Sequence, residues 1–109
     1  MRFSSWYPAN EIDARAPAGE GVFQVRAAEL LSYPSGKSAM IHYARAEDMR
    51  AAMRAWAESH GREGDLYRHV GDLGSLSPDA ALERVRSRFR SRFGSLPQRA
   101  ESEPTDPAK

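Results

Sequence analysis

Apolar residues follow two different rhythms along this chain. Over residues 21–27, GVFQVRA, they alternate: Phe23 and Val25 fall on one side, Val22, Gln24 and Arg26 on the other. That period of two predicts a short strand opened by a glycine, with Phe23 and Val25 as its cleaner apolar pair. Residues 39–44, AMIHYA, carry large and β-branched groups and predict a second strand. Between them Pro34 and Gly36 mark a turn. Residues 28–33, AELLSY, suit either a continued strand or a short helical turn. The simplest assembly is an antiparallel pair.

The rhythm then becomes helical from about residue 46 to residue 60. Met49, Met53 and Trp56 stand at i, i+4 and i+7 and form one apolar stripe. Glu47 and Asp48 fall in the first turn, where the helix dipole favours acids, and Gly61 occupies a position favoured for a C-cap. Residues 66–70, LYRHV, alternate again and predict a third strand. Ser77 as N-cap and Pro78 at the first helical position then open a second helix. Its stripe is Leu82, Val85, Phe89 and Phe93, and Gly94 stops it.

The order strand, strand, helix, strand, helix predicts an α+β domain over residues 21–96, a small antiparallel three-stranded sheet flanked by helices. Residues 1–20 are irregular, with Pro8 and Pro17; Trp6 and Tyr7 are expected to pin this N-terminal arm onto the core. Residues 97–109, PQRAESEPTDPAK, have no apolar residue beyond alanine and are expected to be a disordered acidic tail.

Composition narrows the chemistry. The 109 residues fit one small domain. With no cysteine, disulfides and cysteine-based zinc sites are excluded. His42, His60 and His69 show no paired-ligand spacing, so no resident metal or other cofactor is expected. Sixteen Lys+Arg against fifteen Asp+Glu give a net charge of +1, which by itself points to no polyanionic partner. No apolar run approaches the roughly 20 residues of a membrane helix, and the N-terminus has no apolar signal core. The expectation is a cytoplasmic protein without a membrane association.

Several stretches together resemble the GIY-YIG nuclease superfamily: WYP near the start, GVFQVR as a glycine-led first strand, and HYARAEDMRAAM as a second strand running into a helix. The likeness spans roughly residues 6–97. It implies a GIY-YIG-like fold and, for an active member, Mg²⁺-assisted phosphodiester hydrolysis. The family's two tyrosines, helix arginine and metal-holding glutamate map by position onto Phe23, His42, Ala52 and Glu83. Ala44 stands where the family has a glycine, and Arg45 where it has a lysine. Phenylalanine has no hydroxyl to move or orient a proton, and alanine cannot stabilise a developing phosphorane charge. Arg50 and Arg54 flank Ala52 but lie on another side of the helix. The resemblance therefore implies a catalytically degenerate domain. A live nuclease would have to use His42, Tyr43, Arg45 and Glu83 in altered roles, with Glu83 holding Mg²⁺.

The second helix adds a separate signal. Arg84, Arg88 and Arg92 share one face, and Arg86 and Arg90 lie about 160° away. From residue 78 to residue 99 six arginines stand against Asp79 and Glu83, a local net of +4, whereas residues 46–65 have five acids against three arginines. Like charges at i, i+4 destabilise a bare helix by a few tenths of a kcal/mol per pair, roughly, which favours an external anion. Two readings fit: a phosphate-binding flank, or a solvated face whose charges pair with the acidic helix or with Glu101, Glu103 and Asp106. The leading functional expectation is nucleic-acid or other anion binding through Arg84, Arg88 and Arg92, with Arg45 near the groove. The alternatives are the active nuclease and a protein-interaction module using Trp6, Tyr7 or the tail.

Overall fold

The computed structural model of the chain describes residues 1–98. In chain order the elements are strand β1 (Arg2–Phe3), strand β2 (Tyr7–Pro8), a 3₁₀ turn (Ala9–Glu11) and helix α1 (Ile12–Arg15). Strand β3 (Gly21–Tyr33), strand β4 (Gly36–Ala46), helix α2 (Met49–His60), strand β5 (Leu66–Asp72) and helix α3 (Pro78–Phe93) follow. The α+β class and the two long helices agree with the apolar pattern. The sheet has five antiparallel strands instead of three: β5, β3 and β4 lie side by side, and β1 and β2 both pair with the outer edge of β5.

The extra strands come from the arm that has no apolar period. They are held by the backbone: β1 and β2 satisfy the free edge of β5, and Ser4 between them donates its N–H to the His69 carbonyl at 2.8 Å. Tyr7 is only 1% exposed, so the arm is part of the core. Residues 28–33 continue β3 as a strand, and the hairpin closes through Pro34 and Ser35. β4 runs to Ala46, which moves the start of α2 to Met49 and makes Asp48 its N-cap, accepting from the Ala51 N–H at 3.0 Å. The acidic tail lies outside the described residues apart from Pro97 and Gln98.

The two faces of the sheet carry different helices. Phe23, Val25, Ile41 and Tyr67 pack with Tyr7, Ile12 and Met53, so α1 and α2 cover one face. Val22, Val70 and Ala81 form a second cluster, and Tyr43, Val85 and Phe89 a third, so α3 covers the other. Val22 and Gln24, on the more polar side of the first strand, are therefore buried as well. Aromatic rings seat α3: Phe89 packs edge-on against Tyr33 at 5.0 Å and against Tyr43 at 5.8 Å between centroids. Gly94 ends α3 in the left-handed region, φ 86°, donating to the Arg90 carbonyl. Gly61 ends α2 with ordinary extended angles; there a Cβ would meet the Ala57 carbonyl oxygen at 2.5 Å, so close approach selects the glycine.

His42 faces α2, its ring between Phe23 at 5.8 Å and Trp56 at 5.2 Å. Burial lowers its pKa to about 4, helped by the positive fields of His60 and Arg86. Between pH 6.5 and 4 the unfolded chain thus binds a proton at this site that the folded chain refuses, and stability falls as pH falls. Because the ring is partly exposed the full shift is discounted, leaving roughly 2 kcal/mol lost between pH 7 and 4. Urea melts across that range should show this loss in the wild type and a flatter profile in His42→Gln. Equal slopes would contradict the assignment.

Candidate anion cleft between the sheet and the arginine helix

The register of the sheet builds the site. Gln24 pairs with Tyr43 of β4 on one side and Arg68 of β5 on the other. Side chains on neighbouring strands at one register position share a face. These three form a row under α3, the face opposite Phe23, Val25 and His42. The Arg68 Nε donates to Gln24 Oε1 at 2.7 Å, and Gln24 is 2% exposed. Arg88 and Arg92, exposed on α3, line with this floor a cleft of about 210 Å³. Phe3, Val85, Phe89 and Phe93 supply its apolar walls.

Arg68 is held by aromatic faces. Its guanidinium lies 4.1 Å from the Phe3 ring centre and 4.3 Å from that of Trp6, and Arg26 lies 4.7 Å from the same Trp6 ring. Trp6 is thus shared by two cations of neighbouring strands. Burial and the charge of Arg26 press the Arg68 pKa down from its usual value, while Tyr43 pushes it up. Burial raises the Tyr43 hydroxyl to about 12 against the pull of Arg68 and Arg88, so Tyr43 is protonated and able to donate at neutral pH. Among the described residues no carboxylate pairs with Arg68, Arg84, Arg88 or Arg92, and the cleft lining contains no acid. Donors converge there in a partly dry setting, which strengthens their pull on an anion.

The other residues singled out in the sequence are distributed differently. Arg84 is exposed on α3, outside the cleft lining. Arg45 lies on the same face as Tyr43, but its guanidinium is shared by Glu20 at 3.3 Å and Asp79 at 3.1 Å, tying β4 to the preceding loop and to the start of α3. Glu83 is exposed and accepts from the Ser87 hydroxyl at 3.4 Å. Of the four residues required for altered nuclease chemistry, His42 stands on the face opposite Tyr43 and Arg45. Phe23 is in the core beneath α2, and Ala44 and Ala52, the latter on α2 itself, are partly buried against it. Arg50 donates to the Ala16 carbonyl at 2.9 Å and Arg54 pairs with Asp13 at 2.8 Å, so both brace α2 against the α1 segment.

Among the described residues no group of three or more His, Asp or Glu side chains is gathered closely enough to hold a metal ion. Glu83 stands with a serine as its hydrogen-bond partner, and this donor set does not fit a held Mg²⁺. No helix of the described residues is long and apolar enough to cross a membrane.

No known family model, curated protein or solved structure matches this chain.

Gln24, Arg68 and Phe3 are the cleft residues that the apolar pattern leaves out. A polar residue alternating with Val22 on the less apolar side of a strand reads as solvent-facing, and only the packing of α3 over that side turns it into a floor. The available signal is weak: Gln24 and Arg68 both sit mid-strand, where a polar group without a partner is costly.

Proposed function

We propose that this protein binds nucleic acid as an anionic partner, through the α3 face carrying Arg84, Arg88 and Arg92 and the cleft beside it. The observation that carries this reading is the meeting of Arg68, Arg88 and Arg92 in one cleft without an acidic lining residue. Cations that line one cleft with no acid among them favour an anion there. Guanidinium groups suit phosphate because their fork matches two phosphate oxygens. The aromatic walls add a surface on which an unpaired base can stack, which favours single strands over duplex. Binding is mainly electrostatic and independent of sequence. The GIY-YIG likeness agrees with a nucleic-acid partner, and the packing roles of Phe23, Ala44 and Ala52 agree with a form that has lost the family's chemistry.

The test is anisotropy of a labelled single strand at about 50 and 200 mM salt, with Mg²⁺ added to watch for cleavage. With Arg68, Arg84, Arg88 and Arg92 each neutralising one phosphate, affinity should fall about 50-fold between those salts. Arg54→Ala, on α2 and paired with Asp13, should leave binding unchanged. Salt-independent binding, or none, would overturn the reading. Cleavage lost in Glu83→Ala would replace it with the active nuclease.

A further inference from the structure

The cleft's floor is more selective than a basic surface needs to be. Arg68 Nε can only donate, so the Gln24 atom it meets at 2.7 Å is the carbonyl oxygen, and the side-chain amide is fixed in one orientation. With its oxygen engaged by Arg68, the Gln24 amide offers the cleft its NH₂ group as a donor. Gln24 is 2% exposed and is one of the residues that line the cleft. Tyr43, its cross-strand partner, lines the same cleft and carries a hydroxyl donor. Two neutral donors at the floor and three guanidinium groups around them make a set with almost no accepting capacity.

From this geometry we infer that the cleft is a pocket for a phosphate monoester, either a free mononucleotide or the terminal phosphate of a strand. The inference rests on the anion-binding reading of the same cleft and adds the chemical class it prefers. A monoester carries about −1.5 to −2 charges and three terminal oxygens, whereas an internal diester carries one charge and two free oxygens. The monoester's additional oxygen and charge give the cleft's donors more to hold than a diester does. The cleft's volume of about 210 Å³ is also small. Pockets for drug-sized ligands begin at about 300 Å³, so this one suits a phosphate with its attached sugar or ring, not a length of backbone. Internal phosphates are left to the exposed part of α3.

The experiment compares two 3′-labelled single strands of one sequence, one ending in a 5′-phosphate and one in a 5′-hydroxyl, binding to the full chain. The phosphorylated strand should bind at least about tenfold more tightly, as a charge-assisted hydrogen-bond set would give. Tyr43→Phe and Gln24→Glu should each cut that ratio below about threefold, with thermal melts reporting that the variants fold. A 5′-mononucleotide should displace the phosphorylated strand while its parent nucleoside does not. Whether the mononucleotide or the strand end binds more tightly then names the source of the monoester. Equal affinity for the two strands, with salt dependence intact, would overturn the monoester pocket and leave the proposed function standing. Displacement by the nucleoside as well as the nucleotide would likewise overturn it. Binding of neither strand would overturn both.

Discussion

Tyr7→Ala should destabilise the fold by about 3–5 kcal/mol, the range for deleting a buried aromatic side chain. Tyr7 is 1% exposed and sits in the cluster with Ile12, Phe23, Val25 and Met53. Its hydroxyl lies 2.9 Å from His69 Nδ1 and 3.6 Å from Met53 Sδ, so truncation also leaves polar neighbours without their partner. Tyr7 further belongs to β2, which covers the edge of β5. A domain of this size has about 5–15 kcal/mol of stability in all. The loss should lower Tm by roughly 12–40 °C at about 4–8 °C per kcal/mol. Tyr7→Phe keeps the ring and should cost only about 1 kcal/mol. A Tm change below about 5 °C in Tyr7→Ala would mean that residues 1–8 are an appendage and not part of the core.

The second large effect separates binding from stability. Arg68→Met should weaken strand binding by about 10- to 100-fold while changing stability by no more than about 1 kcal/mol. Arg68 is a partly buried cation next to Arg26, and among the described residues no carboxylate compensates it. Its removal forfeits the contacts with Phe3 and Trp6 and the hydrogen bond to Gln24. It also relieves a desolvated charge and its repulsion from Arg26, and methionine keeps much of the packing stem. Residues that lower stability without a structural return are those expected at binding sites. Urea melts and anisotropy on the same preparations give both numbers. A variant that unfolds early but binds normally would make Arg68 a structural residue and remove it from the site.

Much of the fold is legible in the sequence because alternation and helical spacing report burial directly. Phe23 with Val25, Met49 with Met53, and Val85 with Phe89 all read as core and all are buried. The missing strands β1 and β2 are not legible because they are joined through backbone groups, which every residue but proline offers alike. The covering of the second face by α3 is not legible either, since periodicity shows which side of a helix is apolar but not which side of the sheet receives it. The site divides in the same way. Arg88 and Arg92 emerge from their i, i+4 spacing. Arg68 and Gln24 meet through cross-strand register between positions 44 residues apart. Arg45 reads as a free cation in sequence because its partners, Glu20 and Asp79, are distant along the chain.

In the proposed function, α3 and its cleft take up phosphate charge. The most direct measurement is the salt dependence of single-strand binding for the wild type and for the double variant Arg88→Ala/Arg92→Ala. With about 0.7 counterions released per phosphate contact, a four-arginine site predicts a log–log slope near −2.8. Removing two contacts should reduce the slope to about −1.4, so that affinity falls only about sevenfold between 50 and 200 mM salt. Identical slopes in the two proteins, or a wild-type affinity that ignores salt, would contradict the account.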